Sequence, residues 1–327
     1  MSSASDMEVD DECLSKSDEN ESFSVLTGKE HVLLRPDMYV GSHEHVSFIK
    51  YLIKNGSIEA VNISCSFSFI KIIDEILSNA EDHQKRDSGV TSISLNVETD
   101  TGKITIKNNG TRTVPTKEFE KSGKTIAETV YGTLMSGQNF NDQEKRTVVG
   151  RNGYGAKITN IYSKWFQIHL GDPDRELEYK QVWKDNMDVC EPPKTKTYKA
   201  KKAFTEVSFI PDYERFGLKL PLGEDILKLL ESRIQDTSAA TPKKVSVSFN
   251  GKIIEHSDLK SYASSVGQVF HYDKVTGDDE ISNIEIAYIN SETPHISSFV
   301  NGIRCGGTIV DFVVKEVADG FLKKHPN

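Results

Sequence analysis

In the segment FSFIKIIDEILSNAEDHQKRD, Glu75 and Asn79 stand four residues apart, one turn of a helix. At about 100° per residue they share a stripe with Asp82 and Arg86, on the side opposite Ile73. A carboxylate one turn from an amide oxygen suits a hydrated Mg²⁺ ion, which keeps several waters and takes few protein oxygens beside phosphates. The same glutamate is a candidate general base for a bound water. A solvated helix face with an Asp82 to Arg86 ion pair accounts for the same residues, and at this level both readings stand.

The stretch GRNGYGAK, residues 150–157, packs three glycines and two cations into eight residues. It has neither the G-x-x-x-x-G-K-[ST] spacing of a P-loop nor the G-x-G-x-x-G of a dinucleotide fold. It does lie just before the helical pattern AKITNIYSKWF, where a glycine turn presents free backbone N–H groups to an anion. Lys157 opposes the dipole in the first turn of that helix, an arrangement that a phosphate would neutralise. A plain loop before a helix is the alternative. Asn108-Asn109-Gly110, after the strand KITIK, carries a turn signal.

These residues need elements to hold them. The apolar positions Phe69, Ile72, Ile73, Ile76, Leu77 and Ala80 recur at helical spacing, so residues 66–86 form a helix with one buried stripe. Residues 90–109 alternate as two strands, and 124–136 carries a second helical pattern. The region 177–210 reads as antiparallel strands, LEYKQVWKD and FTEVSFIP, joined by a Pro- and Lys-rich connection. A helix near 223–236, a loop at 237–243 and a strand ending at Asn250-Gly251 follow. The last seventy or so residues read as strand, turn, strand and a final helix over about 308–324.

At 327 residues the chain has room for two domains. Its net charge of −9 is concentrated in residues 1–22, where eight acids face Lys16 alone, which leaves the body close to neutral. That segment has too few large apolar side chains to repay ordering, and a disordered acidic tail is expected. Cys13, Cys65, Cys190 and Cys305 match neither a zinc spacing nor a disulfide framework and read as free thiols. There is no run of eighteen apolar residues, and the N-terminus is acidic where secretory and mitochondrial signals are basic. A cytosolic or nuclear protein is expected. Lys194, Lys196, Lys199, Lys201 and Lys202 form a basic run, read as a solvated loop or a contact to nucleic-acid phosphates.

Taken in order, EHVLLRPDMYVGS, KIIDEILSNAEDHQKRD, the Asn-Asn-Gly segment, GRNGYGAKITNIYSKWF, YKQVWKDNM, VSVSFNGKII and SFVNGIRCGGTIVDFVV resemble the ATPase region of eukaryotic-type type IIA DNA topoisomerases over roughly residues 23–325. The resemblance implies an α+β fold: a Bergerat-type two-layer α/β sandwich, with helices on one face of a mixed sheet, over residues 23–258, and the first part of a transducer domain over 259–327. It implies ATP and Mg²⁺ as cofactors. In family terms Glu75 is the general base, Asn79 the Mg²⁺ ligand, Arg86 a contact on the phosphate side and Asn108 the partner of the adenine amino group. Asn139 reaches the ribose or phosphates, and Gly150, Arg151, Asn152, Gly153, Tyr154, Gly155, Ala156 and Lys157 wrap the triphosphate. Phe23 occupies the place of a strap aromatic that covers the partner's nucleotide. The implied partners are a second copy of the chain upon ATP binding, double-stranded DNA, and a DNA-cleavage core in the same gene or in a separate subunit. The implied compartment is the nucleus.

The sequence departs from the family pattern in four places. NNGTRTVP lacks the second glycine of Asn-Asn-Gly-x-Gly-Ile-Pro, His83 stands for an Asn, and Phe23 for a Tyr. The glutamine-threonine-lysine switch loop is expected beyond residue 327, as are the metal-binding domain and the DNA-cleaving tyrosine. A charge-assisted contact to a developing phosphate charge is worth several kcal/mol. The expectation for this chain alone is therefore an ATP site with slow turnover. The alternative is a catalytically weak nucleotide-binding clamp or regulatory paralogue that lacks the cleavage core.

Overall fold

The computed structural model describes residues 26–54, 57–120, 122–134, 154–276, 283–290, 296–300 and 303–324. In chain order the elements are α1 (Gly28–Leu34), β1 (His45–Lys54), β2 (Ser57–Ser66), α2 (Phe67–Arg86), β3 (Ser92–Glu98), β4 (Lys103–Gly110), β5 (Glu118–Phe119), β6 (Lys124–Thr125), α3 (Ile126–Gly132), α4 (Gly155–Ile161), β7 (Ser163–Asp172), β8 (Leu177–Lys184), β9 (Val189–Cys190), β10 (Lys194–Thr197) and β11 (Ala203–Pro211). They continue as α5 (Glu224–Ala240), β12 (Ser246–Phe249), β13 (Lys252–Ile253), α6 (Leu259–Val266), β14 (Gln268–Thr276), β15 (Asn283–Asn290), β16 (Phe299–Val300), β17 (Ile303–Arg304) and α7 (Thr308–Lys324).

The expected α+β class holds. The main sheet runs β10-β8-β7-β11-β4-β3-β12-β13, with β9 also on β8. It is mixed, because β12 lies parallel to β3 while its other pairings are antiparallel. Burial alternates along the strands: Ile104 and Ile106 of β4, Phe166, Ile168 and Leu170 of β7, and Tyr179 and Trp183 of β8 are buried. Strand side chains point alternately to the two faces, so one face lies under the helices and the other carries polar groups. On that outer face Lys107, Glu206, His169, Glu178 and Lys196 link five neighbouring strands, at 2.9, 3.4, 2.7 and 3.1 Å in turn.

Helix α2 forms where the periodicity places it. The Ser66 hydroxyl accepts from the Phe69 N–H at its start, and His83, Lys85 and Arg86 complement the dipole in its last turn. Ile72, Ile73, Ile76 and Leu77 are all 2% exposed or less. Burying side chains of that size contributes about 1.5–3 kcal/mol each, which fixes the face that α2 turns to the core.

Four expectations need correction. Asn108-Asn109-Gly110 is not a turn; β4 extends through Gly110 and pairs with β11 as far as Ala203. The cause is Asn109, whose Oδ1 accepts from the N–H groups of Thr91 and Ser92 at 2.8 and 3.0 Å and replaces strand contacts where β3 begins. The helix expected over 124–136 ends at Gly132, with Thr133 extended. The loop expected at 237–243 is helical to Ala240, since Thr237, Ser238 and Ala239 are buried. Part of the basic run is an exposed edge strand, Lys194–Thr197, and not a loop; lysines there discourage pairing with another chain. Helix α6 had no expectation. Residues 1–22 lie outside the described residues.

Candidate nucleotide site

Of the expected site residues, Phe23, Asn139, Gly150, Arg151, Asn152 and Gly153 lie outside the described residues. The rest belong to α2, β4 and α4, with Tyr154 as the residue that caps the start of α4. On α2, Glu75 is half-buried and pairs with Lys71 one turn earlier, while Asn79 and Arg86 are exposed. The expected pairing of Asp82 with Arg86 is replaced by Asp82 with Lys85, at 3.6 Å, and Asp82 is buried. Lys85, three residues on, lies within ion-pair reach of the buried Asp82 carboxylate, while Arg86 is exposed.

Helix α4 opens at Gly155 after Tyr154, whose carbonyl accepts from the Ile158 N–H at 2.8 Å. The helix is pinned from two sides: Thr159 Oγ1 donates to the Ile72 carbonyl at 2.8 Å, and Asn160 Nδ2 to the Tyr131 carbonyl at 3.0 Å. These bonds press the Gly155 backbone against Glu75. A Cβ on Gly155 would fall 1.9 Å from Glu75 Oε2, so only glycine leaves room for the carboxylate. Ala156 and Lys157 follow, 7% and 1% exposed. Burial pulls the pKa of the Lys157 ammonium down to about 8, and a phosphate beside it would raise it again.

Asn108 is buried at the other end of α2. Its Nδ2 donates to His83 Nδ1 at 2.8 Å and to the Asn109 carbonyl at 3.0 Å. Accepting at Nδ1 requires a neutral ring protonated on Nε2, which lies 3.6 Å from Asp87 Oδ2. Burial lowers the His83 pKa, against the pull of Asp87.

Asp87 is the organising residue that sequence reasoning missed. Burial alone would raise its pKa, but bonds from the Gly89, Thr111 and Arg112 N–H groups and the Thr111 hydroxyl outweigh that and hold it at about 2. A Cβ on Gly110 would lie 2.7 Å from Asp87 Oδ2, so the glycine lets the carboxylate in. Its position as the α2 C-cap was legible, but its partners beyond Gly89 are too far along the chain to leave a local signal.

No family model matches the chain. It is 33% identical over 333 residues to DNA topoisomerase 2 of Candida glabrata, an alignment covering 94% of this chain and 24% of that protein. The crystal structure of the ATPase region of Saccharomyces cerevisiae topoisomerase II superposes with a TM-score of 0.82 at 31% identity, covering 94% of this chain and 82% of that one. The chain belongs to the DNA topoisomerase II family, in its ATPase region. The ATPase and transducer domains of topoisomerase II from Balamuthia mandrillaris are similarly alike, with a TM-score of 0.81 and 31% identity over 94% of this chain and 80% of that one. The chain spans a fifth to a quarter of the length of the curated relatives it matches.

In that family frame the eight described site residues fall into two groups. Glu75 adjoins the segment from Tyr154 to Lys157 through the Gly155 contact, with Asn79 one turn further along α2. Asn108 and Arg86 lie at the far end of α2, with Asn108 held by His83 and the Arg86 carbonyl accepting from Arg112 Nη2 at 2.9 Å.

Proposed function

We propose that this chain is the ATP-binding and ATP-hydrolysing gate of a type IIA DNA topoisomerase. The observation that carries the reading is the seat of Glu75 against the Gly155 backbone, which joins a candidate base to the end of the glycine-rich stretch. Two features of the site suit Mg·ATP. Asn79 is exposed one turn from the carboxylate, and burial lowers the pKa of the Lys157 ammonium. When bound, Mg²⁺ neutralises charge on the phosphates.

The residues of this chain then divide the work. Glu75 takes the proton of the attacking water. Asn79 supplies the oxygen that holds Mg²⁺. Tyr154, Gly155, Ala156 and Lys157, together with Gly150, Arg151, Asn152 and Gly153, enclose the triphosphate, and Asn139 and Arg86 contact its ribose and phosphate side. Asn108, fixed by His83, faces the adenine amino group. Catalysis here consists of placing a water and offsetting charge, so rate depends on geometry.

The proposal extends to ATP-dependent pairing of two copies, with Phe23 over the partner's nucleotide, and to passage of double-stranded DNA driven with a cleavage core. It takes residues 23–258 as the nucleotide domain, 259–327 as the start of a transducer, and the nucleus as the compartment. The test compares wild type with Glu75→Gln in Mg²⁺-dependent single-turnover hydrolysis and in titration with a non-hydrolysable ATP analogue. The expected result is equal binding with hydrolysis lost in the variant. Binding with no wild-type turnover above the variant would favour the weak clamp, and absence of binding would overturn the reading.

A further inference from the structure

Asp74 and Glu81 lie on a second stripe of α2, turned roughly 100–160° from Glu75 and Asn79. Helix α5 packs on it through two polar contacts. Arg233 Nε donates to Asp74 Oδ1 at 2.6 Å, and Thr237 Oγ1 to Glu81 Oε1 at 2.7 Å. The other arm of Arg233, Nη1, donates to Asp236 Oδ2 at 2.9 Å.

Asp236 is claimed from the far side as well. Arg304 of β17 donates to it through Nε, at 3.0 and 3.1 Å, and through Nη2, at 2.6 Å. Arg304 is itself held among the C-terminal elements, by Ser297 Oγ at 2.9 Å and the Tyr262 hydroxyl at 2.8 Å. The Arg233 and Asp236 side chains are 4% and 1% exposed. Lys50 of β1 faces the same groups, with its ammonium pKa lowered by burial.

We propose that Arg304 is a positioning residue for Glu75, acting through Asp236, Arg233 and Asp74. The proposal rests on the reading of Glu75 as the base. Two guanidinium forks give this chain of contacts direction as well as attraction, because planar paired donors fix orientation where a point charge does not. A buried charge that loses its partner is strongly penalised, so the members shift together or not at all. Apolar packing tolerates a small rotation of α2 more readily than these bonds do. Such a rotation would swing Glu75 along the Gly155 backbone. Asp74 is the residue immediately before Glu75, so the anchor acts on the turn that carries the base.

The test uses single-turnover hydrolysis of Mg·ATP and analogue affinity in wild type, Arg304→Met, Asp74→Asn and the double variant, with Glu75→Gln as control. Each single variant is expected to slow hydrolysis roughly 10-fold, a fraction of what a misplaced catalytic group costs, with affinity within about twofold. The double variant is expected to be no slower than the slower single one, because both cut one line. Arg304→Lys, which keeps the charge and loses the fork, should fall between wild type and Arg304→Met. If Arg304→Met melts below the assay temperature, Arg304→Lys carries the same comparison. An unaffected rate in Arg304→Met beside an inert Glu75→Gln overturns the positioning role alone, as do additive losses in the double variant. A Glu75→Gln protein that turns over like wild type overturns the reading of the base, and this proposal with it.

Discussion

Replacing Gly155 by alanine puts a methyl carbon where the Glu75 carboxylate now lies. The added carbon would sit 1.9 Å from Oε2, 2.9 Å from Cδ and 3.3 Å from Cβ of Glu75, whereas ordinary contact begins at 3.4 Å. The carboxylate oxygen must therefore retreat by about 1.5 Å, while the Glu75 Cβ needs almost no movement. The clash is relieved by rotating the end of a flexible side chain, so the fold bears little of it. Alanine is also the better helix former, by up to about 1 kcal/mol. The base bears the rest: misplacing a reacting group by an ångström or so costs on the order of 100-fold, about 3 kcal/mol of barrier. Gly155→Ala should therefore melt within a few degrees of wild type, bind the nucleotide analogue comparably and hydrolyse ATP ~100-fold more slowly in single turnover. Hydrolysis within about threefold of wild type in a folded variant would refute the claim that the Gly155 backbone sets the position of Glu75.

The remaining predictions concern titrating groups along α2. Burial raises the Glu81 carboxyl from 4.5 to about 7 against the opposing bond from Thr237. Between those values the native state keeps a proton that the unfolded chain has released, so stability falls as pH rises through this window, by about 3 kcal/mol in all. Glu81→Gln should match wild type in thermal unfolding at pH 5 and exceed it at pH 8; equal midpoints at pH 8 would count against a buried carboxyl there. The neutral His83 ring, its pKa lowered by burial, contributes fully above its ordinary value of 6.5, and that contribution is lost as pH falls from 6.5 through the folded value. Protonation removes the acceptor that holds Asn108, so analogue affinity in calorimetric titration should hold from pH 7.5 to 6.5 and weaken as the pH falls below 6.5. His83→Asn, which cannot protonate, should flatten that profile, and an unchanged slope would exclude His83 as its source.

The sequence by itself determined the elements whose signal is local. The apolar stripe of α2, the alternation of β3 and β4 and the final helix follow from backbone periodicity, which neighbouring residues express without help from the rest of the chain. It also determined which residue types stand ready for chemistry, Glu75 and Asn79 one turn apart and glycines ahead of α4. Tertiary structure alone decided which polar residues go inside. Asp82 and Asn79 share a stripe, yet the first is buried and the second exposed, because other segments pack over one side of that stripe. Asn108-Asn109-Gly110 carries a turn signal and forms a strand, because Asn109 finds the Thr91 and Ser92 N–H groups and outweighs local preference. The same holds for Gly155 against Glu75, for Asp87 with Thr111 and Arg112, and for Asp236 with Arg304. Each joins residues far apart in the chain, and a contact of that kind exists only once packing has closed the intervening loop.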